Sequence, residues 1–328
     1  GHGSHVAGII AGERSGASSS GSAQGVAYNA EIYGFKAFNS SGVAPSGATG
    51  AAYALVEAIS AIDIINNSWG SSGTCTSASA CRTAIGTTLY DNWEDVSQLS
   101  TPKISVFAAG NSGQTEPDLQ CQTMKYNSDI RAVSVCVVAV STSNSGDDNS
   151  KGKGQLATFS DQCGSVADYC IAAPGDDIWS HSHTGSSHTT KNGTSMAAPM
   201  VSGGLALIME EFSSLTPAQV VTRLLTTAND VGEYSQTRLY GHGMMNLNAA
   251  TTAVANLQTI NGSNLLDDPN TSYNDLVNNS FTSSAAFSNA LNLALAGQTM
   301  EVYDSFDRAN FEVGVSNFFT SSSYTSQN

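Results

Sequence analysis

Residues 103–113 read KISVFAAGNSG. An apolar run, Ile104 to Ala109, ends on Gly110 and passes straight into a polar turn. A short apolar run closed by glycine reads as a strand. Two more runs share its character: IDIINNS (62–68) and the valine-rich AVSVCVVAVS (132–141). Upstream, EIYGFKAF (31–38) also reads as a strand. Between these runs lie segments with helical spacing. SGATGAAYALVEAIS (46–60) starts at an N-cap candidate, Ser46, and repeats Ala52, Leu55, Val56 and Ile59 along one face. TAIGTTLYDNWEDVSQL (83–99) reads as a second helix with a less regular period. Strands alternating with helices predict an α/β fold with a mainly parallel sheet covered on both faces.

Two further helices close this region. One runs from about Ser195 to Phe212, with Val201, Leu205, Ile208 and Phe212 on one face. The next begins at Thr216, with Pro217 at the first helical position and Gln219 placed for a capping box. Val220, Val221, Leu224, Leu225 and Ala228 form its apolar face.

The chain has 328 residues, enough for one large domain, or one domain plus an appendage. Only 12% of residues are charged, and the net charge is -15. Nucleic acid and anionic membranes are poor partners, because no basic stripe exists to neutralise phosphates. Low lysine with abundant Ser, Thr and Asn suits an exported protein. The spacing of the six cysteines favours Cys75 with Cys81 and Cys163 with Cys170, leaving Cys121 with Cys136. Six cysteines allow fifteen pairings, so spacing alone leaves the connectivity open. An even count points to an oxidising compartment. No C-x-x-C pair suggests zinc, and no apolar stretch is long enough to span a bilayer. Composition shifts after about Ala255, where Ser, Asn and Thr dominate; MEVYDSF and NFEVGVSNFF alternate like strands.

Three stretches carry chemistry. In KNGTSMAAPM (191–200), Ser195 opens an apolar-periodic helix. Its hydroxyl sits among free backbone N–H groups at the positive end of the helix dipole, a place suited to a nucleophile. By itself it reads more readily as an N-cap, the commoner fate of a serine at a helix start. Pro199 has no N–H to offer the Ser195 carbonyl, which is left free unless the turn relaxes. Asn111 lies just past a strand, where an amide could donate to an oxyanion or simply form a turn. His2 and His5 lie three apart at a helix start, so one could serve Ser195 as general base. His181, His183 and His188 cluster before the nucleophile; no carboxylate or cysteine completes a metal set, so they read as a loop rimming a cleft.

Taken together, the blocks HGSHVAG, AAGNSG and NGTSMAAP come in one order on one α/β pattern. The set resembles the subtilisin-like serine proteases, or subtilases. NNSWG, FSDQCGSVADYCIAAPG and YGHGMMNLNAA extend the resemblance over roughly residues 1–252; residues 253–328 then form a linker-like appendage with short β segments. Ser4 stands where the family usually has Thr. The resemblance implies a three-layer α/β/α fold and a secreted endopeptidase acting on polypeptides. It implies His2 as base, Ser195 as nucleophile and Asn111 as oxyanion donor. It implies substrate binding by Ser68, Trp69 and Gly70, with Ala108, Ala109 and Gly110 lining the pocket for the residue before the cut.

In subtilases the triad order is Asp, His, Ser. No Asp-Thr-Gly or Asp-Ser-Gly block occurs in this stretch, which implies that the acid lies upstream and that residues 1–328 alone are inactive. A chymotrypsin-like order, with Asp63, Asp91 or Asp161 as the acid, conflicts with the α/β pattern. The α/β-hydrolase elbow is missed at Ala197, although His242 follows the serine. The competing reading is a catalytically dead adhesion or binding module on the same scaffold.

No cofactor is required. The family often binds structural calcium, but no EF-hand pattern or other calcium motif occurs here, so no metal residues are expected. ALAGQTMEVYDSFDRANFEV (294–313) resembles the junction of a Gram-negative autotransporter passenger, and Cys163 with Cys170 resembles that branch too. This implies a monomeric passenger, secreted or on the cell surface, with an outer-membrane barrel beyond this segment.

Overall fold

The computed structural model describes residues 1–13, 23–142, 152–183, 187–255, 257–258, 281–284, 296–314 and 319–322. They fall into two compact units: Gly1–Glu211 with Thr216–Leu247, and Phe212–Leu215 with Asn248–Asn328.

The first unit begins with α1 (His2–Ala11), α2 (Ala48–Glu57), β1 (Ile64–Asn67), α3 (Ala78–Ile85) and α4 (Thr87–Ser97). It continues with β2 (Ile104–Ala108), α5 (Leu119–Thr123), α6 (Ser128–Ala132), β3 (Ser134–Ser141) and β4 (Cys170–Asp176). A hairpin, β5 (Ile178–His181) with β6 (His188–Lys191), precedes α7 (Thr194–Glu211) and α8 (Pro217–Thr226). The central sheet has the order β1-β2-β3-β4 and every pairing is parallel. Every residue of β2 and β3 is buried, as expected of a parallel sheet with helices on both faces. Successive side chains point to opposite faces. Phe107, Cys136, Val138 and Cys170 pack with Tyr53 of α2 and Trp93 of α4 on one side, while α7 packs across all four strands. The architecture is the three-layer α/β/α fold expected.

Several local expectations hold in detail. Thr216 and Gln219 make both capping-box bonds. The disulfides are Cys75–Cys81, Cys121–Cys136 and Cys163–Cys170; the second ties α5 to β3.

Others are corrected. Residues 31–38 form no strand, since they make no ladder bonds; Ile32 and Tyr33 are 45% and 39% exposed. Ser46 does not cap α2. Gly47, in the left-handed region at φ 76°, takes that position with no side-chain bond. The buried face of α2 is Gly50, Tyr53 and Val56, and Leu55 is 59% exposed. The helix expected over 83–99 is two helices, broken at Gly86 with φ 94°.

In the second unit, β7 (Leu257–Gln258), β8 (Phe281–Ser284), β9 (Thr299–Asp304), β10 (Asn310–Gly314) and β11 (Phe319–Ser322) are short. β9 pairs antiparallel with β10 and β7, while β8 pairs parallel with β11. Much of the appendage expected over 253–328 lies outside the described residues.

Candidate active site

The site lies where β1 and β2 give out and α7 begins. Gly193, at φ 149°, makes the turn into α7, and its N–H donates to the Gly175 carbonyl (2.8 Å). Thr194 follows, fully buried. Its amide and hydroxyl both donate to Asn111 Oδ1, at 2.8 and 3.0 Å, and its hydroxyl accepts from the Gly110 amide at 3.2 Å. A backbone N–H can only donate, so the Asn111 atom facing it is the oxygen. The Asn111 Nδ2 donors are thereby turned outward. A Cβ placed on Gly193 would lie 3.6 Å from Asn111 Nδ2 and 3.6 Å from the Ser195 N–H nitrogen. The hollow over Gly193 is thus bordered by the Asn111 amide, whose Oδ1 lies 3.7 Å away, and by the Ser195 nitrogen. N–H donors beside such a space can hold a developing oxyanion.

Ser195 stands in the first turn of α7. Its hydroxyl donates to the Ser68 carbonyl (3.1 Å). The Ser195 carbonyl, deprived of a helical partner by Pro199, accepts instead from the Ser68 hydroxyl (2.8 Å). Asn66 Nδ2 donates to the same hydroxyl (3.0 Å), and Asn66 Oδ1 accepts from Ser202 (3.0 Å). The nucleophile candidate is therefore fastened to the end of β1 by side chains from both elements.

His2 opens α1, exposed. Loss of hydration, then Lys191, then His5 lower its pKa, which keeps the ring neutral and able to accept a proton. Among the described residues no carboxylate contributes to this shift, and Ser195 makes its hydrogen bond to Ser68, not to His2. Asp63, Asp91 and Asp161 are not grouped with His2. Asp91 pairs with Arg82, and Asp161 Oδ1 accepts from the Ser112 and Gln114 amides.

His5 is fully buried and has a different place. Its Nε2 faces the carbonyls of Ile178 (3.1 Å) and Thr189 (3.0 Å). Carbonyls only accept, so that nitrogen carries the proton, and Nδ1 is left buried without a partner. These contacts bind α1 to the hairpin, while Val6 and Ile9 pack on Met196, the neighbour of Ser195. Gly8 allows the approach, since a Cβ there would meet His181 Nδ1 at 2.5 Å.

His181 and His188 lie with ring centroids 4.7 Å apart, and His188 stacks on Trp179. His183 is exposed. Among the described residues no group of three or more His, Cys, Asp or Glu is arranged to hold a metal ion.

The other expected substrate residues divide. Ser68 carries the contacts above, and Gly70 is exposed. Trp69 turns its ring onto Phe107 and Phe38. Ala108 and Ala109 are buried, and the Ala109 carbonyl accepts from the Asp118 amide. Thr194 and Asp118 were not singled out from the sequence, although Thr194 stands inside a quoted motif; Asp161, inside FSDQCGSVADYCIAAPG, entered only as the acid of a chymotrypsin-like order.

A parallel α/β sheet with a helix-borne serine and an amide sharing one hollow defines the class. The chain belongs to the subtilase family (peptidase S8), whose profile matches residues 1–243. It is 31% identical to subtilisin DY of Bacillus licheniformis over 255 residues, covering 76% of this chain and 77% of that protein. It is 32% identical over 151 residues to serotype-specific antigen 1 of Mannheimia haemolytica, covering 44% of this chain and 15% of that protein. It is 29% identical over 307 residues to the extracellular serine protease of Serratia marcescens, covering 76% of this chain and 27% of that protein. The chain thus spans only a small part of two of these relatives. The solved structure of the prenylagaramide maturation protease PagA superposes with a TM-score of 0.57 at 22% identity, covering 76% of this chain and 80% of that one.

Proposed function

We propose that this chain carries the base and the nucleophile of a secreted serine endopeptidase. The observation that supports it most strongly is the hollow over Gly193, 3.6 Å from both Asn111 Nδ2 and the Ser195 amide. In this reading a peptide carbonyl lies over that hollow. Ser195 Oγ attacks its carbon while His2 takes the hydroxyl proton. The carbonyl oxygen becomes an oxyanion held by the two donors. His2 then protonates the departing amine, and water repeats the sequence on the acyl-enzyme. An aspartate preceding residue 1 in the whole protein fixes the His2 tautomer and steadies its cationic form. The backbone at Ser68-Trp69-Gly70 pairs with extended substrate, and Gly110 borders the pocket for the residue before the cut.

The names of the relatives support export. We assign the chain to the passenger of a Gram-negative autotransporter, monomeric, secreted or on the cell surface, on the resemblance of residues 294–313. The reaction needs no cofactor.

The test uses the whole protein with its upstream aspartate. Wild type hydrolyses an unfolded polypeptide such as casein, and Ser195→Ala abolishes the activity. Hydrolysis that survives Ser195→Ala overturns the assignment.

A further inference from the structure

A cavity of about 400 Å³ follows Gly70 and Asn111 in the chain, its lining including Ser72, Ser112, Glu116, Asp118 and Asp161. Asp118 stands at the N-cap of α5 yet makes no cap bond. An Asp at that position ordinarily accepts from the first turn. Its carboxylate instead occupies the slot between the two segments that would flank the substrate. A Cβ on Gly70 would clash with Asp118 Oδ2, and one on Gly110 would lie 3.0 Å from Asp118 Cγ and clash with Asp161 Oδ2. Glycine at both positions lets the two carboxylates pack close against the backbone there.

Asp161 is only 2% exposed. Its Oδ1 takes the amides of Ser112 and Gln114 (3.0 and 2.7 Å). Among the described residues nothing donates to Asp161 Oδ2 or to the Asp118 carboxylate. Glu116 is otherwise engaged, accepting from the Ser165 amide and from Arg238. Two neighbouring carboxylates in a half-dry pocket repel each other and lose hydration, which is unfavourable unless a cation joins them. Lost hydration first, and the charge of Asp161 second, push the Asp118 pKa up to about 6. No basic side chain of the described residues pairs with either Asp118 or Asp161.

We propose that Asp118, with Asp161 behind it, selects a lysine or arginine side chain at the residue before the scissile bond. This rests on the endopeptidase reading, because the carbonyl over Gly193 belongs to that residue. Gly110 precedes the oxyanion candidate Asn111 directly, and the Asp118 carboxylate lies against both Gly110 and Gly70, which the family resemblance gives to substrate binding. The cationic head supplies the missing charge, and its apolar stem runs along the glycine backbones.

The test compares kcat/KM of the whole protein on matched peptides carrying lysine, arginine, norleucine or citrulline at that position. The charged members lead their neutral isosteres by about 100-fold. Asp118→Asn removes that lead and changes the neutral peptides less than about 3-fold. Equal turnover of charged and neutral peptides, or an equal loss on all four in the variant, overturns the proposal. A second readout needs no turnover: benzamidine titrated calorimetrically into the Ser195→Ala protein. Binding that Asp118→Asn weakens about 100-fold supports the pocket. Absent binding, or a pocket that takes Ca²⁺ and rejects benzamidine, overturns it. Failure of hydrolysis with benzamidine binding intact counts against the endopeptidase reading alone.

Discussion

Two aspartates, one in each compact unit, are set at turns and meet opposite fates. Asp304 of the second unit is fully buried, and its oxygens accept from the amides of Val254 (2.6 Å), Ala255 (3.0 Å) and Phe306 (2.9 Å). It ties the end of β9 to the segment that leads into β7. Asp118 of the first unit stands beside another carboxylate and accepts nothing among the described residues. A buried carboxylate with several amide donors is a structural fastening. Asp118 is half-buried and lines a cavity, so a carboxylate without internal donors there is open to water or to a ligand. Asn111 shows both conditions in a single side chain: its oxygen is fixed by Thr194, and its amide faces the hollow.

This contrast can be broken at three points. The largest effect is expected at Asn111. Asn111→Ala removes one of two oxyanion donors, and kcat of the whole protein should fall about 100- to 1,000-fold, with KM changed much less. A fall confined to KM would place Asn111 in substrate binding only.

Asp304→Ala comes next. Three amides lose a charged acceptor, and the second unit should lose about 2–3 kcal/mol of local stability. Faster hydrogen exchange at Val254, Ala255 and Phe306 would report it; unchanged exchange would show that Asp304 is no fastening.

The smallest effect, of opposite sign, is at Asp118. Its folded pKa, about 6, lies above the ordinary 3.8. The folded state therefore favours the protonated carboxyl. That stabilisation is complete below about pH 4 and is lost as pH rises to about 6. Asp118→Asn should match wild type near pH 4 and exceed it at pH 8 by about 1 kcal/mol, a figure reduced for solvent screening. A variant that is less stable at pH 8 would show that the carboxylate is satisfied after all.

What the sequence made legible follows the range of the interactions involved. Thr216, Pro217 and Gln219 lie within one turn, and the capping box they spell is the one found. Pro199 announces an orphaned carbonyl at Ser195, but the hydroxyl that answers it comes from Ser68, far away in the chain. The apolar runs of β2 and β3 mark buried strands because both faces are covered. EIYGFKAF has the composition of a strand and no ladder partner, and only pairing makes a strand. Gly86 splits a helix that periodicity alone would continue, because its positive φ interrupts the turn. In the site, motif spacing pointed to His2, Asn111 and Ser195. Asp118 stayed hidden, because its closeness to Gly70 and Gly110 is a tertiary feature, which no short window of sequence displays; Asp161 entered only as the acid of a chymotrypsin-like order that the fold rejects.

The central claim is that Ser195 is the nucleophile facing the oxyanion hollow. The most direct measurement treats the whole protein with a fluorophosphonate and maps the adduct by mass spectrometry. The account predicts one adduct, on the peptide containing Ser195, and a sharp loss of labelling rate in Asn111→Ala. An adduct elsewhere, or none on a protein that still hydrolyses peptides, would contradict it.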